Sequence, residues 1–142
     1  MFFDKIVNML NLNFGNGNFK NQNGLRRFNN RCNCYAYKLV PFEQARNMIQ
    51  TSEVLLIDIR TESEYNLMHV QNAINIPLDV LELKIQDATI KKDKPVMIYC
   101  SSGARSKKAI QVLNKYGYNI YIWEYAALAT FPYRDMLIYE KK

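Results

Sequence analysis

Two apolar patterns alternate along this 142-residue chain. Short, nearly continuous apolar runs stand at "VLLIDI" (54–59), "AINI" (73–76), "PVMIYC" (95–100) and "NIYIW" (119–123). Runs that are β-branched and too short for helices fit strands covered on both faces. "YKLV", from Tyr37, fits a short edge strand ahead of them. Between the runs, apolar residues recur three and four apart. Phe42, Ala45 and Ile49 share one face of a helix predicted over about 41–50, with Pro41 suited to its first turn. Thr61 and Glu64 form a T-x-x-E capping box, which starts a short helix at 61 or 62. Leu78, Leu81 and Ile85 give a helix over 77–85. Ala109, Ile110, Leu113 and Tyr116 give another over 104–116, and Gly117 stands where a left-handed C′ residue belongs. A last short helix is expected from about 125, ahead of Pro132, with room for another in the tail.

Strands alternating with helices predict an α/β fold with an open, mostly parallel central sheet flanked by helices. Ligands of such sheets bind at the carboxyl ends of the strands, where Asp58 and Cys100 both fall.

Composition changes the picture mainly at the N-terminus. Residues 11–33 are rich in asparagine and glycine with no apolar period, so residues 1–36 read as a flexible leader and 37–142 as one domain. The net charge is +6, of which residues 1–37 carry +4. A basic leader could touch nucleic acid or an anionic membrane, or simply be solvated. No RNA-binding motif with stacking aromatics follows it, so no nucleic-acid partner is expected. No apolar run approaches the ~18 residues of a membrane span, and the first residues lack the charged start of a secretory signal. With three cysteines, at 32, 34 and 100, free thiols in a reducing compartment are expected, and a cytoplasmic location with them. Cys32-x-Cys34 could supply resolving thiols or a metal site. The plainer reading is incidental linker cysteines, since no further histidine or cysteine clusters with them.

The chemistry concentrates at "YCSSGARSK". Ser101, Ser102, Gly103 and Ala104 are small enough for the backbone to curl, and Gly103 permits positive φ. Successive N–H groups in that curl make an anion-binding nest, to which the following helix adds its dipole end and Arg105 a fixed charge. Such a setting favours a thiolate on Cys100 without a histidine base. The plain alternative is a strand-end cysteine packed as a small hydrophobe.

At this point the residues resemble a family. C-x-x-G-x-R-S between strand and helix is similar to the active-site loop of single-domain rhodanese-like sulfurtransferases. "LLIDIRTESEY" resembles the family's D-x-R strand end and acidic helix, "HVQNAINIP" its histidine segment, and "YAALATFPY" the closing segment of bacterial members. The resemblance covers about residues 37–135. It implies a rhodanese-like three-layer fold and a sulfane sulfur carried as a persulfide on Cys100. The sulfur would come from thiosulfate or a persulfide, a small anionic donor, and pass to cyanide or to a small or protein thiol. Ser101, Ser102, Gly103, Ala104, Arg105 and Ser106 would cradle the substrate, with Arg60 near the pocket entrance or held in a structural ion pair. Asp58, ending a buried strand, is expected to brace neighbouring loops, and Glu64 could pair with Arg105. His69 matches a structural position. No metal or organic cofactor is implied.

The chain departs from the family pattern at Met68 and Asn72, where glycines are usual, at Ala126-Ala127 in place of a glycine pair, and at Phe131 in place of tryptophan. Asn72 still tolerates a left-handed backbone. These changes bear on pocket shape and donor preference. Phosphatases and arsenate reductases of the same fold use C-x5-R loops, whereas four residues separate Cys100 from Arg105 here. The shorter cradle suits one sulfur atom better than a tetrahedral phosphate. A binding or redox-sensing module without turnover is the other alternative.

Overall fold

In the computed structural model the backbone is described over residues 18–20, 26–30 and 33–140, and side chains over 36–140. Nine strands are described: β1 (Asn18–Lys20), β2 (Arg26–Asn30), β3 (Asn33–Leu39), β4 (Leu55–Asp58), β5 (Met68–Val70), β6 (Ile74–Asn75), β7 (Val96–Tyr99), β8 (Ile120–Ile122) and β9 (Leu137–Tyr139). Four α-helices accompany them: α1 (Phe42–Gln50), α2 (Glu62–Leu67), α3 (Leu78–Gln86) and α4 (Ala104–Lys115). The main sheet has the order β1-β2-β3-β8-β7-β4-β6. Its pairings from β3 to β6 are parallel, and β1, β2 and β3 extend it antiparallel.

Period-two alternation divides the buried side chains between the two sheet faces. Ile57 of β4 and Ile98 of β7, with Cys100 beyond it, pack with Leu81 and Ile85 of α3 and Ala109, Ile110 and Leu113 of α4. Leu56, Met97 and Tyr99 point to the other face, against Ala45, Met48 and Ile49 of α1 and against Trp123, Phe131 and Met136. The result is helix, sheet, helix: three layers with a mostly parallel centre, as the strand–helix alternation predicts. In register, Asp58 of β4 lies beside Tyr99 of β7, so Asp58 and Cys100 emerge at the same carboxyl edge.

Local chemistry sets the helix ends. Thr61 Oγ1 accepts the Glu64 N–H, and Glu64 Oε2 accepts the Thr61 N–H at 2.9 Å, which is the predicted capping box. At the far end of α4, Gly117 has φ +80°. The Gly117 N–H donates to Asn114 O at 3.0 Å and the Tyr118 N–H to Leu113 O at 3.1 Å, a Schellman motif with glycine at C′.

One region differs from the pattern-based expectation. After β8 the chain forms no α-helix among the described residues. It makes 3-10 turns at Glu124–Ala126, Leu128–Thr130 and Arg134–Met136 and ends in β9, which pairs antiparallel with β5. Three-residue segments carry too little periodicity to be seen in sequence. β3 runs through residues 36 and 37 and pairs with β2 over Asn33–Tyr37. Cys32 lies outside the described residues, as does the side chain of Cys34, so the expectations for that pair are not addressed.

Asn72 holds φ +68°, and its Nδ2 donates to Ile49 O at 3.1 Å, tying the β5–β6 turn to α1. Replacing it with alanine removes that bond and leaves a less tolerant side chain at positive φ. The expected loss is about 1–2 kcal/mol of unfolding free energy. Urea unfolding of Asn72→Ala against the parent measures it, and a change under about 0.3 kcal/mol contradicts it.

Candidate active site

Cys100 follows β7 directly and is buried, 1% exposed. Gly103 is the N-cap of α4, with φ +100°. That conformation turns the Gly103 N–H back onto the Cys100 Sγ at 2.9 Å. The sulfur therefore sits at the N-terminal end of α4, where unpaired N–H groups favour negative charge. Ser102 and Ala104 are exposed and Ser101 half-buried, so the loop around the sulfur faces solvent.

Arg105 sits one turn above. Its Nη1 and Nη2 donate to the two carboxylate oxygens of Glu64, at 2.7 and 3.0 Å. Its Nη2 also donates to Ser101 Oγ at 3.2 Å, and Ser101 Oγ lies 3.4 Å from Glu64 Oε1. The paired Arg105 holds the Glu64 carboxyl down at about 2, and the Thr61 hydrogen bonds add to this against partial burial. Glu64 in turn raises the Arg105 pKa, with smaller contributions from the charges of Cys100 and Asp58. Because the folded value is depressed, Glu64 contributes stability that is complete above its unfolded pKa, near 4.5, and is lost as pH falls through about 2. Acid unfolding of the parent and Glu64→Gln should therefore converge below that window. A gap that persists unchanged there contradicts the pairing.

Asp58 and Arg60 form a second, inner pair. Asp58 is fully buried and Arg60 only 4% exposed. Arg60 Nε donates to both carboxylate oxygens, at 3.0 and 3.1 Å, and Nη2 to Oδ2 at 2.7 Å. Nη2 also donates to Met68 O, which fastens β5 to the end of β4. Burial works to lower the Arg60 pKa, but the Asp58 hydrogen bonds and charge outweigh it, and the net shift is upward. Tyr99 stands over the guanidinium, its ring centroid 5.8 Å from Cζ, and its hydroxyl accepts the Val70 N–H at 3.0 Å. Burial and the Asp58 charge push the Tyr99 phenol far above its ordinary range.

Two of the residues expected to cradle the substrate are turned into the protein. Arg60 is turned inward, because a buried strand-end carboxylate binds the guanidinium more closely than solvent can, and the pair braces loops. Ser106 is fully buried, and its hydroxyl donates to Ala126 O at 2.8 Å. It sits on the core side of α4's first turn, three residues before Ala109. His69 packs on Tyr65 of α2. Its ring stacks on Tyr65 with centroids 3.8 Å apart, and Nδ1 donates to Tyr65 O at 2.9 Å.

The segment 126–129 braces the loop from behind, a role that pattern reading missed. Ala126 O accepts the Cys100 N–H at 3.0 Å, Cys100 O accepts the Leu128 N–H at 2.7 Å, and Ser101 O accepts the Ala129 N–H at 3.2 Å. Tyr125 and Ala126 both have positive φ, +65° and +47°. Only the first of the two alanines thus occupies the left-handed region that a glycine would fill without strain. Such non-glycine positions cost about 1–3 kcal/mol each and persist where surrounding bonds over-determine them. Phe131 is buried against Trp123 and Tyr133, with centroids at 4.8 and 5.5 Å.

A three-layer α/β domain with a cysteine in a strand-to-helix loop at the sheet's carboxyl edge defines a class of α/β proteins. Within that class, the sequence model of the rhodanese-like domain family matches residues 42–126, and the chain belongs to that family. It is 36% identical over 74 residues to a sulfurtransferase of Allochromatium vinosum, covering 52% of this chain and 67% of that protein. It is 40% identical over 62 residues to the thiosulfate sulfurtransferase PspE of Escherichia coli K12, covering 44% of this chain and 60% of that protein. Among solved structures it resembles a rhodanese-related protein from Thermoplasma volcanium, at 25% identity and TM-score 0.58, over 67% of this chain and 90% of that one. None of the described helices is long and apolar enough to cross a membrane.

Proposed function

We propose that this protein is a sulfurtransferase that carries a sulfane sulfur as a persulfide on Cys100. The observation that bears most weight is the Gly103 N–H on Cys100 Sγ at the N-terminus of α4, 2.9 Å away. Preorganised N–H donors stabilise negative charge at the place where it develops, without reorganisation during the reaction. Sulfur named in the relatives above is the chemistry that this setting suits.

The Cys100 thiolate attacks the outer sulfur of thiosulfate. A new S–S bond forms, the old S–S bond breaks, and its electron pair leaves with sulfite. Cys100 then bears a terminal sulfur with one negative charge. With an organic persulfide as donor, the leaving group is the corresponding thiolate. A thiol, a protein thiol or cyanide then attacks the terminal sulfur, and the electron pair of the broken bond returns to Cys100. Ser101, Ser102, Gly103, Ala104 and Arg105 form the cradle. Asp58, Arg60 and Ser106 hold its base in position.

The four-residue spacing between Cys100 and Arg105 favours this reading over phosphate hydrolysis. Thiocyanate formation from thiosulfate and cyanide, beside hydrolysis of a generic aryl phosphate, separates the two. Turnover of the first alone is expected, and turnover of the second alone reverses the assignment.

A further inference from the structure

Arg105 is the fixed positive charge of the loop, yet it is already committed. Both ends of its guanidinium fork are used on Glu64, in a pair whose side chains are about one-third exposed. Ser101, next to the nucleophile, bonds to both partners, so the carboxylate lies against the loop itself. The capping box fixes Glu64 from the other side, which stops it swinging away to release the arginine. Arg105 also forms one wall of an open depression of about 270 Å³, completed by Ile59, Thr61, Pro77, Leu78 and Asp79. Three of these six residues are apolar, and the added charge, Asp79, is negative.

From these two features we propose that Glu64 is a specificity-determining residue. By neutralising Arg105 beside Cys100, it disfavours the dianion thiosulfate relative to singly charged or neutral organic persulfides. The organic body of such a donor would lie in the apolar depression, which the sulfonate oxygens of thiosulfate have no means to fill. This inference rests on the sulfurtransferase reading. In the favoured step, the Cys100 thiolate takes the outer sulfur of R–S–SH, the S–S bond breaks, and R–S⁻ leaves with its electron pair.

The test compares Glu64→Gln and Glu64→Asp with the parent, loading each with thiosulfate and with cysteine persulfide. Glutamine keeps the shape and the capping contacts and removes the charge. Coulomb energy scales with donor charge, so the change in log rate for a dianion is twice that for a monoanion. The second-order loading rate of Glu64→Gln is expected to rise about tenfold with thiosulfate and about threefold or less with the persulfide. The difference should narrow at high salt, because the pair is partly exposed. Glu64→Asp, which retains the charge, should keep the parent's donor ratio. If Glu64 were merely structural, both donors would slow together and the ratio would hold, which overturns the proposal. A fall in thiosulfate loading alone also overturns it, since Arg105 would then have needed Glu64 to bind the donor. If the parent takes sulfur from neither donor, the sulfurtransferase reading itself fails. If it takes sulfur from both but the ratio does not move, this inference alone fails.

Discussion

Cys100→Ser is expected to abolish sulfur loading and thiocyanate formation, a loss of roughly a thousandfold or more. Serine Oγ can accept the same Gly103 N–H, so that hydrogen bond survives the exchange. What it lacks is the nucleophilicity of a thiol. A hydroxyl needs a neighbouring base to react, and the one histidine of the chain, His69, is engaged with Tyr65. The substitution also puts a hydroxyl into an apolar cluster that includes Ile57, Ile59 and Ile98. With one hydrogen bond retained, that costs about 1 kcal/mol, so the variant should fold. Turnover assays paired with thermal unfolding separate lost chemistry from lost structure. Residual turnover above a few per cent in folded Cys100→Ser would place the nucleophile elsewhere.

The largest effect on stability is expected at Asp58. Its carboxylate is fully buried and is the charged partner of a guanidinium that is itself 5% exposed. Asp58→Ala leaves Arg60 buried with only Met68 O to satisfy it. Breaking a buried pair by removing one partner costs about 3–5 kcal/mol, because the remaining charge is uncompensated. In a domain of this size that is a large share of the total stability. The double variant Asp58→Ala/Arg60→Met removes the stranded charge and should recover a good part of the loss. Urea unfolding of the two variants checks both statements. A single-variant loss below about 1 kcal/mol, or a double variant no better than the single, contradicts the brace. Because Asp58 adjoins Tyr99 in register, the destabilisation should also loosen the strand end that presents Cys100.

The legible parts of the fold were those whose signals are local or long enough to repeat. The apolar runs of β4 and β7, the Thr61–Glu64 box and Gly117 at C′ each carry their physics in a few adjacent residues, and all appear where the pattern puts them. Cys100, Gly103 and Arg105 were readable for the same reason: strand, curl and helix start are consecutive. Side-chain direction was harder. Ser106 is in the right motif yet points to the core, since its face of α4 is set by packing against the 126–129 segment. Arg60 lies between two possible partners, solvent and Asp58, and only burial decides between them. Segment 126–129 was visible within "YAALATFPY", but its bracing of the Cys100 loop was not. Its bonds to Cys100 and Ser101 are main-chain bonds that any residues can make. The Glu64–Arg105 pair spans 41 positions, so sequence could suggest it but not establish it.

The departures from the family pattern behave differently from one another. Asn72 takes the left-handed conformation and adds a bond to α1. Ala126 takes it with a methyl group in place, held by two bonds to its carbonyl from Cys100 and Ser106. The loop is thus supported from behind by a strained segment and held in front by an ion pair, which leaves the sulfur little freedom to move.

Intact mass after incubation with thiosulfate, or with cysteine persulfide, followed by removal of excess donor, tests the central claim most directly. The account predicts a gain equal to one sulfur atom in the parent, lost on adding cyanide or a thiol, and no gain in Cys100→Ser. No gain in the parent with either donor, or a gain that survives in Cys100→Ser, would contradict it.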